Sequence, residues 1–148
     1  MAGRKGIALQ SGITTGTSAK TLIQLVAAAN HAIRLVEVAI GFHGTSNTAE
    51  PIKVELVRQT DAGTMSSLTL VNADSGVNDT LDTTGQHTAT AEPTGSTVVR
   101  VWAIHPQTQF VISANELTDV IVPASGRIGL RVTAAASTTA DAYLAFIE

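Results

Sequence analysis

The sequence lacks cysteine and has few aromatic and few charged residues. None of its 148 residues is cysteine, which excludes disulfide frameworks, thiol nucleophiles, iron–sulfur clusters and cysteine-bound zinc. Aromatic residues make up 3% of the chain, too few for a surface on which bases or sugars stack. Charged residues make up 14% and the net charge is −3, so the sequence shows no basic stripe of the kind that binds nucleic acid.

Long apolar runs are also missing. No run approaches the roughly 18 apolar residues of a membrane span. The first residues, MAGRKGIALQSG, lack the apolar core of roughly 7–15 residues that a secretory signal needs. We therefore expect neither a membrane nor a nucleic acid as a partner. What the chain does have is a hydrophobic fraction of 44%, supplied mainly by small and branched aliphatic residues. Together with frequent threonine, this composition favours β-structure.

Two runs of alternating apolar residues occupy the middle of the chain, in the stretch IRLVEVAIGFHGTSNTAEPIKVELVR. Such alternation places the apolar side chains on one face of a strand. The loop GTSNTAEP between the runs contains glycine, asparagine and proline, which form turns. We predict two long neighbouring strands, Ile33–His43 and Ile52–Gln59, in the middle of a β-sandwich. The alternating residues are Val36, Val38, Ile40 and Phe42 in the first run and Ile52, Val54 and Leu56 in the second.

Short apolar runs separated by turn residues continue through the rest of the chain. Their spacing is typical of an all-β sandwich or barrel, and we see no helical crossover units. Lys20–Ala29 fits a helix and a strand equally well, and we favour a strand because the surrounding chain is β-rich. We predict a jelly-roll-type β-sandwich of about eight strands. Further predicted strands are Ser67–Val71, His87–Ala91, Ser96–Ile104, Phe110–Ser113, Asp119–Val122, Arg127–Thr133 and Ala142–Ile147.

Three of these segments also carry predictions about their place in the sandwich. Ser96–Ile104 is apolar on both faces, which indicates a central strand or one covered on both sides. His87–Ala91 is followed by Pro93 and is expected to be an edge strand. Pro123–Gly126 lies between two predicted strands and indicates a hairpin turn.

The first 18 residues differ in composition from the rest. They are rich in glycine, serine and threonine around one small apolar cluster, Ile7–Leu9. We predict an extended N-terminal arm over residues 1–18 and a single β-sandwich domain over residues 19–148. Arg4 and Lys5 near the tip of the arm belong either to a solvated tail or to a contact with a neighbouring subunit or an acidic surface.

No motif for catalysis or metal binding emerges from the sequence. The four histidines have no zinc spacing and are expected to be polar caps at strand ends. The acidic loop cluster does not match a calcium loop and is expected to be solvated. Glu37 and Glu55 are placed on adjoining strands and are expected to form a surface charge ladder with lysine and arginine rather than a catalytic pair. The histidines are His31, His43, His87 and His105, and the acidic cluster is Asp74, Asn78, Asp79 and Asp82.

One short sequence occurs twice. Thr48–Pro51 and Thr90–Pro93 both read TAEP, and each ends in a proline where a predicted strand begins or stops, which suits a sheet edge. We take Thr48, Glu50 and Pro51 in the first copy as candidate contact residues, together with Arg4 and Lys5. The corresponding candidates in the second copy are Glu92 and Pro93.

Several longer runs carry a family resemblance. They are GFHGTSNTAEPIKVELVRQTDAGTMS, HTATAEPT, VRVWAIHPQT and PASGRIGLRVTAAASTTADAYLAFIE. These runs resemble small structural proteins encoded in the head-gene regions of tailed phages, the capsid decoration or cement proteins with a jelly-roll fold. The resemblance covers most of Lys20–Glu148, and its motifs are turns and strand edges rather than catalytic signatures.

The resemblance implies a place on the outside of an icosahedral capsid, after synthesis in the host cytoplasm. Its expected partners are the major capsid protein and further copies of the chain in a homotrimer. The implied role is to bridge neighbouring capsomers and to stabilise the shell against internal pressure. No catalytic residue and no cofactor is implied.

Three other functions compete with this reading. The chain could be another virion component, in the tail, a head fibre or a receptor-binding module. It could be a lectin-like domain that binds carbohydrate through Trp102 or Tyr143, although core packing explains those two aromatics better. An enzyme is the least favoured alternative because no catalytic constellation is visible.

Overall fold

The computed structural model describes residues 3–44, 50–74, 79–113 and 120–148. In these ranges the chain forms twelve strands and no helix, arranged in two antiparallel sheets around one apolar core. The predicted all-β sandwich is confirmed. The strands are β1 (Lys5–Thr14), β2 (Lys20–Val26), β3 (Ile33–His43), β4 (Ile52–Gln59), β5 (Thr64–Leu68), β6 (Val71–Asn72), β7 (Thr84–Ala91), β8 (Thr97–Ile104), β9 (Phe110–Ser113), β10 (Ile121–Val122), β11 (Arg127–Thr133) and β12 (Thr139–Ile147).

The strand pairs are nested from the ends of the chain towards its middle. Sheet I has the order β6–β1–β12–β3, and both β9 and β10 pair with the remaining edge of β3. Sheet II has the order β5–β7–β2–β11–β4–β8. Thus β1 pairs with β12, β2 with β11, β3 with β9 and β10, and β4 with β8. This nesting is consistent with the predicted jelly roll, with β5, β6 and β7 added between β4 and β8.

The core lies between the sheets and is filled mainly by aliphatic side chains. Leu35 and Ile40 of β3, Leu56 of β4, Leu130 of β11 and Phe146 of β12 are each at most 1% exposed. Alternation turns Ile40, Leu56 and Leu130 inwards, as the sequence pattern predicts, whereas Leu35 faces the core because of the register shift that follows it in β3. Lys20–Val26 is a strand, so the favoured interpretation of that ambiguous segment is correct.

The two central strands of the sequence lie in different sheets. β3 belongs to sheet I and β4 to sheet II, so the loop between them crosses from one sheet to the other. The expectation that Glu37 and Glu55 lie on adjoining strands is therefore wrong. Val38, Ile40 and Phe42 face the core as predicted, but Val36 lies at a register shift and is not part of the core. Such a bulge displaces one residue from the alternating pattern.

The N-terminal segment is part of the sandwich and not an arm beyond it. β1 pairs with β12 on one side and with β6 on the other, and Ala8 and Ile13 are buried in the core. The predicted boundary between arm and domain at residue 18 would therefore separate β1 from the sheet to which it belongs. The small residues that suggest an arm have a packing reason: a side chain at Gly6 would come within 2.4 Å of the Phe146 ring.

Two strands have places that differ from the sequence predictions. β8 is an edge strand of sheet II and not a central one, and several of its side chains are exposed. β7 is an interior strand and not an edge, because β5 pairs with its second side. The apolar composition of a strand predicts that the strand is buried. It does not show which part of the chain, or which partner, covers the strand.

The Pro123–Gly126 turn exists but does not form a hairpin. The Gly126 amide donates to the Pro123 carbonyl at 2.8 Å, and Ser125 has a positive φ of 60°. The strands on either side belong to different sheets, since β10 pairs with β3 while β11 pairs with β2 and β4. The turn is therefore a corner of the sandwich.

Candidate interaction surface

The outer face of sheet I carries apolar side chains in rows that cross its strands. In one row Leu9, Tyr143, Ala39 and Val111 are successive partners on β1, β12, β3 and β9. Leu9 is 53% exposed and Val111 is 50% exposed. The adjoining row consists of Val71, Ile7, Ala145, Glu37 and Ser113. We refer to these two rows as the face patch.

The acidic groups within and beside the face patch are held by neighbouring donors. The Tyr143 hydroxyl donates to the Glu37 carboxylate, and this hydrogen bond, with burial, raises the pKa of Tyr143. Asp141 accepts hydrogen bonds from the Ser11 hydroxyl at 2.6 Å and from the Gly12 amide at 2.7 Å. The Ser11 bond is the main reason that the pKa of Asp141 lies below its usual range, although partial burial opposes it.

The β8 edge of sheet II is a second exposed apolar surface. Val101 is 57% exposed and Val98 is 45% exposed, and Ala103 is exposed on the same side of the strand. We refer to these three residues as the edge patch. On the inner side of β8, Trp102 packs against Phe110 of β9 with their ring centroids 5.2 Å apart. That contact brings sheets I and II together at this edge.

The outer face of sheet II is buried in its middle, although its β8 side is exposed. Gln24 and Val57 lie on this face, yet both are fully buried. The segment after β4 lies over Gln24, whose side-chain amide donates a hydrogen bond to the Asp61 carbonyl at 3.0 Å. Thr94 binds the Asp61 carboxylate through its hydroxyl and its amide, and these bonds hold the pKa of Asp61 below its usual range.

A chain of polar side chains runs beneath this cover. The Arg127 guanidinium donates to Gln24 Oε1 at 3.1 Å, and Gln24 Nε2 donates to Gln59 Oε1 at 2.7 Å. Gln59 Nε2 donates to the Thr21 hydroxyl at 2.9 Å. Thr21 donates in turn to Glu92 at 2.8 Å. Gln59 reaches β2 from β4 across Gly129 of β11, where a β-carbon would lie 2.4 Å from the Gln59 oxygen. Glycine at position 129 therefore makes room for the crossing.

Of the predicted contact residues near the N-terminus, Arg4 is engaged within the chain and Lys5 is exposed. Arg4 forms ion pairs with Asp82 at 2.6 Å and with Glu148 at 3.0 Å. Its backbone also exchanges hydrogen bonds with Glu148. Lys5 is the first residue of β1 and lies on the outer side of sheet I. The Arg4 side chain is therefore already held in ion pairs within the chain, whereas the Lys5 side chain is exposed to a partner.

The two TAEP copies occupy different environments. In the first copy Glu50 and Pro51 are exposed before β4, while Thr48 lies outside the described residues. In the second copy Pro93 is buried and Glu92 accepts hydrogen bonds from the amide and hydroxyl of Thr21. The repeated sequence therefore does not predict a shared role: Glu50 and Pro51 of the first copy face solvent, whereas Glu92 of the second copy bonds to β2.

The candidate contact residues near the N-terminus do not meet those of the first TAEP copy. Lys5 pairs with Ile147 at one end of β12, whereas His43, which precedes the loop to Pro51, pairs with Thr139 at the other end. Eight residues along a strand correspond to about 27 Å. The sequence alone predicts which strand each of these residues lies in or beside. The distance between the two groups follows only from the pairing of β1 and β3 with β12.

One cluster of potential metal ligands is found in the described part of the chain. His31, Asp82 and Glu148 place their ligand atoms within 4.8 Å of one another. The guanidinium of Arg4 bridges both carboxylates, and the Asp82 and Thr83 amides each donate to Glu148 at 2.9 Å. Burial would raise the pKa of Glu148, but the hydrogen bonds from Thr83 and Asp82 and the charge of Arg4 hold it below its usual range. The carboxylates thus already have a cationic partner.

The remaining polar candidates are dispersed. His43 lies at the end of β3 and pairs with Asp141 at 3.1 Å, in line with the predicted strand-end role. Glu55 pairs with Lys53, as predicted, and with Arg131, which the sequence reasoning missed. In the acidic loop, the Asp79 carbonyl accepts from Asn72, and Asn78 lies outside the described residues.

The aromatic residues considered for carbohydrate binding have different surroundings. Trp102 packs against the core, as predicted, and does not offer an open ring face. Tyr143 borders a shallow depression of 280 Å³ at Gly41, closed on one side by residues 107–109. Within the described ranges no helix is long and apolar enough to cross a membrane.

No protein family, curated protein or solved structure was found to match this chain. The surfaces themselves therefore carry the functional interpretation. The face patch is the feature that sequence reasoning missed, because its members lie in five separate strands. Only the strand register places them in the same two rows across the sheet.

Proposed function

We propose that this chain is a structural virion protein, a decoration protein that binds the outside of a tailed-phage capsid and stabilises the shell. Its partners in this role are the major capsid protein and further copies of itself in a homotrimer. It acts on the virion exterior by bridging neighbouring capsomers and performs no turnover. The resemblance of the sequence to decoration proteins supports this role, and so does the consistency of the strand nesting with a jelly roll.

The observation that carries the proposal is the face patch. Soluble monomers rarely expose a contiguous apolar area of more than a few hundred Å², and a larger patch marks an interaction surface. In the face patch Leu9, Val71 and Val111, on three strands of sheet I, are each about half exposed, and the small residues Ala39 and Ala145 between them are buried. Exposed aliphatic side chains spread over several strands of one sheet face suit assembly with a partner surface better than binding of a small substrate, which favours enclosed concave sites.

The loops at one end of the sandwich are a second feature that suits a contact with a shell. The Thr15 amide donates to the Thr138 carbonyl at 2.8 Å, and the Thr138 amide donates to the Thr15 hydroxyl at 3.0 Å. Thr138 also donates to the His43 carbonyl, next to the loop that leads to Glu50 and Pro51. Loops fixed in this way lose little conformational freedom on binding. Several such weak contacts from one oligomer reinforce each other through effective concentration.

Reconstitution on capsids tests the proposal. Purified tailed-phage heads that lack a decoration protein are mixed with the purified chain, and binding is measured by co-sedimentation. We expect saturable binding and a rise in the temperature at which the heads release DNA. No binding, together with an unchanged release temperature, would refute the proposal. Electron microscopy of the decorated particles separates this role from that of a tail or fibre component, because density on the tail alone would favour the latter.

A further inference from the structure

The depression of 280 Å³ on the outer face of sheet I has a floor of small residues. Ala39 and Gly41 of β3 are separated by one position and therefore lie on the same face of the strand. Tyr143 and Asp141 of β12 are their direct partners and form one wall. Residues 107–109, which lead into β9, form the opposite wall. The depression is thus an open trough between two walls that carry larger side chains.

Gly41 is the lining residue that the fold explains least. Its φ is not in the left-handed region that favours glycine, and a β-carbon there would meet no atom within 4 Å. It pairs with Asp141 in a regular stretch of register, so no bulge requires it. Glycine inside a strand weakens the strand and often marks a place that a ligand or another backbone approaches closely. Glycine at position 41 keeps the trough open, although no contact in the described chain needs the space.

The Tyr143 ring lines the depression and is held in place. Its hydroxyl donates to the Glu37 carboxylate, so both ends of the side chain are fixed. A ligand that packs against a fixed ring immobilises little further side-chain freedom. Such a ring offers an apolar surface to the C–H groups on one face of a sugar. The chain has too few aromatic residues for an extended stacking surface, but one ring suffices for one sugar unit.

Asp141 has hydrogen-bonding capacity that the chain does not use. It accepts from the Ser11 hydroxyl at 2.6 Å and from the Gly12 amide at 2.7 Å, and it pairs with His43 at 3.1 Å. An ionised carboxylate offers about four acceptor positions, so about one remains for a ligand. The existing partners also fix the orientation of the carboxylate before any ligand arrives.

The opposite wall carries two carboxamides. The side chains of Gln107 and Gln109 are exposed and form no hydrogen bond with a described residue. The turn before them is fixed, because the Thr108 amide donates to the His105 carbonyl at 3.0 Å and the Gln107 amide donates to His105 Nδ1 at 3.2 Å. A carboxamide both donates and accepts hydrogen bonds, as a sugar hydroxyl does. The two walls can therefore bind hydroxyl groups of one ligand from opposite sides.

We propose that this depression binds one neutral pyranose unit of a glycan. The Tyr143 ring packs on the C–H face of the sugar, while Asp141 and the two glutamines bind its hydroxyls. At 280 Å³ the depression is slightly smaller than sites for drug-sized ligands, which measure roughly 300–1,000 Å³, as expected for a single sugar unit. Its shallow form leaves some hydroxyls in water, so they need no partner in the protein.

Other ligand classes fit the depression less well. An anion such as phosphate would meet the carboxylate of Asp141, and the described lining residues include no lysine or arginine. A metal ion would find only Asp141 and His43 as side chains of the usual ligand types among those residues. An apolar ligand would desolvate Gln107 and Gln109 without replacing their hydrogen bonds to water. A neutral polyol meets none of these costs.

The sugar site goes beyond the proposed capsid role and does not rest on it. Leu9 and Tyr143 belong both to the depression and to the face patch. A glycan and a protein surface would therefore compete for these residues. Sugar binding is measured on the isolated chain, so its failure is distinguishable from failure to bind a shell.

NMR titration of the isotope-labelled chain tests the site. The probes are the methyl glycosides of glucose, galactose, mannose and N-acetylglucosamine. We expect saturable shifts with at least one probe, centred on the amides of residues 39–43, 107–109 and 141–143, and a dissociation constant on the order of 1 mM. No saturable shift with any of these probes, or shifts centred elsewhere, would overturn the proposal. Binding only of the charged sugars glucuronic acid or glucosamine would overturn the assignment of a neutral ligand.

Gly41→Val provides the sharpest variant, because it fills the trough at a position where a β-carbon has room. A β-branched residue also suits a strand, so the variant should unfold at a temperature no lower than the natural chain and yet lose the sugar-induced shifts. Thr97→Val, an exposed change on β8 of sheet II, is the matched control and should bind as the natural chain does. Gln109→Ala should weaken binding without filling the trough, and it serves as the second variant if Gly41→Val does not fold. Undiminished binding in Gly41→Val, or in Gln109→Ala, would contradict the site.

Discussion

The outer faces of the two sheets differ in how their side chains are shielded from water. Both sheets turn side chains away from the core, but the middle of the outer side of sheet II is buried, with the segment after β4 over Gln24. Gln24 and Val57 are fully buried there, whereas Leu9 and Val111 on sheet I are about half exposed. A face that the chain itself covers can carry a polar network. Exposed apolar side chains on an uncovered face contribute hydrophobic free energy only when a partner buries them.

The difference also explains why the polar network is in sheet II. Buried polar groups are tolerated only when their hydrogen bonds are satisfied. The run from Arg127 through Gln24, Gln59 and Thr21 to Glu92 gives each amide and hydroxyl a partner, and the cover supplies the Asp61 carbonyl. The network and the cover therefore stabilise each other, and removing one member should loosen both.

The largest effect is expected for Gln59→Ala at the centre of that network. The change leaves Gln24 and Thr21 without their partner beneath the cover, which should lower the free energy of unfolding by about 2–4 kcal/mol. Urea unfolding followed by circular dichroism measures this loss. Gln10→Ala is the matched control, because the Gln10 side chain bonds only to the neighbouring Ser11 carbonyl at 3.3 Å among its described contacts. Equal stability of the two variants would show that the network contributes little.

The second prediction compares how much the two TAEP copies contribute to the stability of the fold. Glu92→Ala removes two hydrogen bonds that Thr21 donates to a carboxylate, and the expected loss is about 1.5–3 kcal/mol. Glu50→Ala changes an exposed residue and should alter stability by no more than about 0.5 kcal/mol. Thermal unfolding of both variants under one condition gives the comparison. A larger loss for Glu50→Ala than for Glu92→Ala would contradict the roles assigned to the two copies.

Acid stability depends in part on the end of β12. The folded-state pKa of Glu148 lies below its ordinary value of 4.5, so the unfolded chain binds more protons as the pH falls. The stabilising contribution is complete above about pH 4.5 and is lost as the pH falls through the folded-state pKa. Glu148→Gln should therefore flatten the decline of stability in acid. An unchanged slope in urea titrations below pH 4.5 would exclude this contribution.

Much of the fold follows from the sequence, but the pairing of distant strands does not. Alternation identifies β3 and β4, and the turn residues at Pro123–Gly126 mark a reversal of the chain. Neither signal says which sheet a strand joins, because apolar alternation is the same in both. The bulge at Val36 and the packing of Gly6 on Phe146 are also invisible in a local pattern. These features depend on contacts between residues far apart in the sequence.

The candidate surfaces show the same limit. Leu9, Val71 and Val111 each look like an ordinary apolar residue in a short strand, and only cross-strand register makes them neighbours. The TAEP echo is visible in the sequence, yet its two copies serve different purposes because one is buried against Thr21. Sequence similarity over four residues does not specify an environment.

The smallest effect on stability is expected for a substitution on the exposed outer face of sheet I. This substitution tests the difference between the outer faces of the two sheets most directly. Leu9 keeps about half of its surface exposed in a single copy, so Leu9→Ser should lower the free energy of unfolding of the isolated chain by only about 1 kcal/mol. In the proposed homotrimer a face that packs against another copy would bury this side chain, and the cost would then grow with protein concentration, because association stabilises by mass action. Unfolding measured at low and at high concentration separates the two contributions. A large loss at low concentration would mean that Leu9 already packs within one copy, and the distinction between a covered and an open face would fail.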